Sequence, residues 1–172
     1  MDYRDRDARG RARSARSRDA AGRPLPRDAD LPRPPEDSAL DPDAVLPPRE
    51  ALDKAQRLLD ADLPFTAHEV LESAWKAAEG DERALWQGLA QLAVGLTHVQ
   101  RGNASGAAAL LERGAERIAP FAAQPPHGVA VDELVAHATE LAARVRTGGV
   151  NSLSHTDRRP RLRHGSGGNA AG

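Results

Sequence analysis

The stretch ERALWQGLAQLAVGLTHVQR, residues 82–101, decides the fold. Wound at 3.6 residues per turn it is apolar almost all round, through Ala84, Leu85, Trp86, Leu89, Leu92, Ala93, Val94, Leu96 and Val99. A helix of that kind must be surrounded by other helices. Its polar side chains Gln87, Gln91 and His98 fall at i, i+4 and i+11 and share one face. Gly88 and Gly95, seven apart, share one side and would let a neighbouring backbone come close.

Working outward, Gly102 supplies a C-terminal cap and Asn103 or Ser105 an N-cap, so the next helix, to about Ile118, folds back as an αα-hairpin. On the other side a helix starts near Pro64 to Thr66 and ends near Gly80. Before it, Arg49–Ala61 follows Pro47 and Pro48 and carries Leu52, Ala55, Leu58 and Leu59 along one face. Pro120, Pro125 and Pro126 break the chain before a last helix, Val131–Arg146, with its stripe of Leu134, Val135, Ala138, Leu141, Ala142 and Val145. No segment alternates as a strand does. The expectation is all-α: a single small bundle of about five helices built from antiparallel hairpins, spanning residues 49–146.

Composition sets the surroundings. The chain has 172 residues and no cysteine, which removes disulfides, thiolate nucleophiles and cysteine-based metal sites and suits a cytoplasmic location. The N-terminus has no apolar signal region, and the most apolar stretch, 84–99, is interrupted by Gln87, Gln91 and His98, so no membrane span is expected. The net charge of −1 hides blocks: +5 over residues 1–27, −5 over 28–48, −4 over 49–146 and +3 over 147–172. Basic ends could touch nucleic acid. Tails of mixed Arg and Asp with few aromatics read instead as solvated, so residues 1–48 are expected to be a disordered Arg/Asp/Pro-rich arm, 147–172 a disordered Gly/Arg-rich tail, and nucleic acid not to be the partner.

Chemistry concentrates in FTAHEVLESAW, residues 65–75. Its HExxE motif is one letter from the zinc-protease motif H-E-x-x-H, with Glu72 where the second histidine would stand. His68, Glu72 and Trp75 lie on one face, Glu69 about 100° round from His68. If this stripe met Gln87, Gln91 and His98, the two helices would hold imidazoles, carboxylates, amides and an indole N–H between them. In a metal reading, a divalent ion is bound by His68, Glu72 and His98, with Glu69 as general base of a hydrolase-like reaction. In a packing reading, Thr66 and Glu69 form a capping box, His68 and Glu72 an i,i+4 pair, and the amides satisfy groups between helices. A metal-free pocket for a small molecule or protein is a third reading. Trp75 and Trp86 read as core. No Ser/His/Asp arrangement, P-loop or strand-borne glycine fingerprint is present.

Together FTAHEVLESAW and QGLAQLAVGLTHVQRGNASGAAALL, residues 87–111, resemble domain-of-unknown-function family 309, small bacterial and archaeal proteins with F-x-x-H-E-x-L-E-x-x-W and Q-G-L-x-Q-L-A…H…G-N…G-A motifs. The matching positions are Phe65, His68, Glu69, Leu71, Glu72, Trp75, Gln87, Gly88, Gln91, His98, Gly102, Asn103, Gly106 and Ala107. Ala90 and Thr97 depart from the family's usual larger residues. The resemblance, over about residues 50–120, implies an all-helical bundle, no established reaction, and a shared site at His68, Glu72, Gln91 and His98. Taken together, the sequence favours a non-enzymatic module for a protein or small ligand, with a homo-oligomer among the forms it could take, over the metal-dependent enzyme.

Overall fold

The computed structural model describes residues 45–165. Five α-helices follow one another among the described residues: α1 (Pro48–Asp60), α2 (Pro64–Ala77), α3 (Glu82–Gln100), α4 (Ala104–Ile118) and α5 (Val131–Gly148). Each packs on the next in chain order, so α2, α3 and α4 have neighbours on both sides.

The helix ends are set by local chemistry. Pro48 and Pro64 sit at the first turns of α1 and α2, where the missing N–H costs nothing and the fixed φ is already helical. That places the N-cap at Leu63, ahead of Thr66, so the expected Thr66–Glu69 capping box is not the device that opens this helix. Asn103 does cap α4, its Oδ1 accepting from the Gly106 amide at 3.0 Å, after Gly102 has turned the chain at φ 74°.

The central helix is buried through Leu85, Trp86, Leu89, Leu92, Ala93, Leu96 and Val99. Its glycines face α4. A Cβ on Gly88 would lie 2.5 Å from Ile118 Cγ2, and one on Gly95 2.9 Å from Leu111 Cγ. Reciprocally, a Cβ on Gly114 would lie 2.9 Å from the Gly88 carbonyl oxygen and 2.7 Å from Leu92 Cδ2. The segment between α4 and α5 is pinned to the start of α3: His127 Nε2 is 2.8 Å from Glu82 Oε2, and its ring lies 6.1 Å from that of buried Trp86.

The expected boundary at residue 147 is corrected. Residues 149–165 form a strap across α1 and the start of α5, with Leu153 and Leu162 buried at 5% and 2% exposure. Gln56 of α1 holds it like a piece of backbone, accepting from the Leu162 amide (2.8 Å) and donating to the Pro160 carbonyl (3.0 Å). The Ala130 amide donates to the Leu162 carbonyl at 2.9 Å, and Val129 and Arg163 form an antiparallel bridge. Arg159 chelates Asp62 at the α1–α2 turn (2.7 and 3.2 Å), and Arg163 pairs with Asp53 at 2.6 Å. The strap's own turn is tied by Asp157, which accepts from the Ser154 amide and hydroxyl and lies 3.0 Å from Arg144. These bonds hold its carboxyl down at about 2. Polar, Arg-rich composition hid this because a few scattered apolar residues, Val150, Leu153, Pro160 and Leu162, carry the packing. The expected N-terminal arm, up to residue 44, and residues 166–172 lie outside the described residues.

Two outcomes follow from these contacts. Gly114→Val should lower stability by about 2 kcal/mol or more, because the obstacle is α3 backbone, which cannot give way as a flexible side chain would. Urea unfolding with an unchanged m-value checks it. Gln56→Leu should cost about 1–3 kcal/mol by orphaning the Leu162 amide and Pro160 carbonyl, and should speed hydrogen exchange at Leu162 selectively.

Candidate functional site

Helix α2 turns a half-buried stripe outward: Phe65, His68, Glu72 and Trp75. Opposite faces of the same helix bury Ala67, Val70 and Leu71. Helix α3, otherwise the most buried element, keeps its own half-buried stripe through Ala84, Gln87, Gln91, Val94 and His98. Arginines of α3 and the turn after it join the two stripes at their ends. The Arg83 guanidinium lies over the Trp75 ring at 5.7 Å, and that of Arg101 over the Phe65 ring at 5.9 Å. These distances are within the range of cation–π attraction.

The expected cluster is therefore spread along a shallow face. His68 and Glu72 form the expected i,i+4 pair, with Nε2 3.6 Å from Glu72 Oε2, but Glu72 is held more closely by Lys76 at 2.9 Å. The ring of Phe65 stands 5.9 Å from that of His68. Glu69 lies half buried one position round, its main-chain carbonyl accepting the Ser73 hydroxyl at 3.0 Å. Gln87 and Gln91 turn to α4, where Arg117 donates from Nη1 to Gln87 Oε1 (2.9 Å) and from Nε to Gln91 Oε1 (3.1 Å). A guanidinium has only donors, so both carbonyl oxygens must face it and both amide NH2 groups point away from it.

His98 stands in the last turn of α3 and reaches into the α3–α4 turn. Asn103 spends its oxygen on capping α4, so its Nδ2 is the group that meets His98 Nδ1 at 3.2 Å. Nδ1 accepts, and the His98 proton therefore sits on Nε2. Desolvation, with Arg101 adding repulsion, holds the His98 pKa below its ordinary value. Burial does the same to His68 more strongly than the Glu72 carboxylate opposes it, so both rings are neutral near pH 7.

Two polar atoms of this face have no partner in the structure: His68 Nδ1 and Trp75 Nε1, each buried from water. They sit on one stripe of α2, seven residues apart, which is about 10 Å along the axis. Among the described residues no group of three or more His, Asp or Glu side chains stands where it could hold a metal ion, so His68, Glu72 and His98 are not gathered as a ligand set. A cleft of about 520 Å³ lies elsewhere, between α1 and the strap, lined by Leu52, Gln56, Asp60, Arg159 and Arg161 among others. Arg117, Arg83 and Arg101 are the members that sequence reading missed. Arg117 lies 26 and 30 residues from the amides it clamps, and no local spacing encodes so long a bond.

Fold and face together define an all-helical domain with a shallow aromatic and polar surface on α2 and α3. The family model of the domain of unknown function DUF309 matches residues 52–110, from the second turn of α1 to the middle of α4, so the expected family resemblance holds over that span. α5 and the strap lie beyond the matched residues. No curated protein and no solved structure matches the chain. No helix among the described residues is long and apolar enough to cross a membrane.

The lowered pKa of His68 fixes a sign. The unfolded chain takes up this proton more readily than the folded one, so stability is full above about pH 6.5 and falls as pH drops through that value. Urea midpoints for the wild type should decline from about pH 7 to about pH 5, and the decline should be shallower in His68→Gln. His98 contributes in the same direction, so the slope is reduced and not abolished.

Proposed function

We propose that the domain is a non-enzymatic binding module, working in the cytoplasm, whose α2–α3 face receives a partner at His68, Glu72 and Trp75, bordered by Gln87, Gln91 and His98. The observation that carries this reading is the pair of partnerless buried atoms, His68 Nδ1 and Trp75 Nε1, on one helical stripe. Each such group costs about 1–3 kcal/mol, and folded proteins retain few of them. Two beneath the same face have a common remedy in a partner whose docking turns these side chains outward and supplies the missing hydrogen bonds. The rest of the stripe is suited to contact, since aromatic and guanidinium side chains recur at the centres of protein interfaces. Its half-exposed side chains, spread along two helices, favour a macromolecular surface over an enclosed small-molecule pocket.

Trp75→Phe tests the reading. It removes a donor that nothing in the isolated domain uses, so the loss of ring packing should be offset and stability should change by less than about 1 kcal/mol. A loss of about 3 kcal/mol would show an internal partner and sink the proposal. Elemental analysis of chelator-free protein is the second arm. A stoichiometric transition metal lost on His68→Ala would replace the module with a metal site.

A further inference from the structure

The hydrogen-bonding groups left on the α2–α3 face are mainly donors. Gln87 and Gln91 turn their amide NH2 groups away from Arg117, whose guanidinium has claimed both oxygens. Trp75 Nε1 is a donor without an acceptor. Arg83 and Arg117 are exposed cations at the margins, and Arg83 already lies over the Trp75 ring. Glu72, on the stripe itself, and Glu69, one position round, are the carboxylates of this face, and Lys76 holds Glu72 at 2.9 Å. His68 Nδ1 gives or takes a hydrogen bond according to its tautomer. Between these polar groups the apolar surface is Phe65, the Trp75 ring and Val94, all half buried.

We infer that this face docks an acidic amphipathic helix of another protein, its carboxylates meeting Arg83 and Arg117 and its apolar side chains lying on Phe65, Trp75 and Val94. The inference rests on the binding-module reading and names the class of partner for it. From Arg83 to Arg101 the α3 stripe is about 27 Å long, which matches a helix of about 18 residues laid along the α2–α3 seam. A second copy of this chain fits poorly. A two-fold contact pairs the same patch with itself, setting Arg83 of one copy towards Arg101 of the other and donors against donors. Nucleic acid fits poorly as well, because a phosphate backbone would run over Glu72 and Glu69 on a domain whose residues 49–146 carry −4. Spaced carboxylates can avoid those positions, as a continuous phosphate chain cannot.

The test uses the full chain and three labelled probes: an 18-residue Leu/Ala/Glu amphipathic helix, its Leu/Ala/Lys counterpart, and a single-stranded oligonucleotide. Fluorescence anisotropy reads binding, and the indole N–H resonances of 15N-labelled protein report the site. The Glu helix should bind with an affinity that falls with salt and at least about tenfold in Arg83→Glu/Arg117→Glu. The Trp75 indole resonance should shift while that of Trp86, in the core, stays. Arg161→Glu, on the strap, should leave binding unchanged. Arg83→Glu alone changes one exposed side chain, so it keeps the test decisive if the double variant unfolds. Equal or tighter binding of the Lys helix or the oligonucleotide, an unchanged affinity in Arg83→Glu, or no binding of the Glu helix overturns the inference. If the Glu helix fails while Trp75→Phe keeps its stability, the acidic assignment falls and the binding module stands. A large loss of stability in Trp75→Phe removes both.

Discussion

The approach of α3 to α4 at Gly88 and Gly114 is the contact on which the rest of the bundle is arranged. A Cβ on Gly114 would lie 2.9 Å from the Gly88 carbonyl oxygen, and one on Gly88 3.2 Å from the Gly114 carbonyl oxygen. Backbones this close leave room for Ile118 and Leu111 to lie directly on α3. Dispersion contacts weaken steeply with a gap of half an ångström or more, so a separated pair would lose much of this packing. The same approach brings Arg117, one residue before Ile118, to the edge of α3 where Gln87 and Gln91 emerge. The polar clamp is thus a consequence of the glycine contact.

Because α4 takes the glycine side of α3 and α2 takes another, the central helix has one stripe left over. Gln87, Gln91 and His98 occupy it, which is why an almost wholly apolar helix carries polar residues at those spacings. The α2 stripe lies alongside, stitched to it at both ends by arginine over aromatic ring. A buried cluster between the helices would have satisfied every member. A half-exposed seam satisfies Gln87, Gln91 and Glu72 laterally and leaves His68 Nδ1 and Trp75 Nε1 buried with no partner in the structure. The unequal outcome follows from side-chain reach: Arg117 spans from the next helix to both amides, whereas no side chain meets Trp75 Nε1 or His68 Nδ1.

Helix positions were legible because they rest on local signals. Apolar period, Pro47 and Pro48, Gly102 and Asn103 fix the elements to within a few residues, and Gly88 and Gly95 pointed to the close neighbour later identified as α4. The site was legible as residue types and as faces, not as partners. Spacing on α3 put Gln87, Gln91 and His98 together, but which neighbouring helix receives them depends on how α3 is rotated in the bundle. Thr66 and Glu69 have the letters of a capping box, yet Pro64 starts the helix earlier and removes Thr66 from the cap. The strap escaped notice for a different reason. Its fixing points are Gln56, Asp53 and Asp62, which read as ordinary polar residues of α1 and its turn until Leu162 and the arginines arrive from about a hundred residues away.

That strap bears on how the α2–α3 face stays available. α1 covers one side of α2 and, among the described residues, is the first helix of the bundle. Residues 149–165 lie across it, burying Leu162 against the domain and tying the α1–α2 turn through Asp62 and Arg159. Asp62 holds a positive φ of 59°, a conformation that costs a residue with a Cβ about 1–2 kcal/mol, and the bidentate guanidinium is positioned to hold it there. The next residues, Leu63 and Pro64, open α2 and set the rotation at which Phe65, His68, Glu72 and Trp75 leave the core. The strap does not touch the face in any contact described above, yet through the turn it constrains which stripe of α2 the face presents.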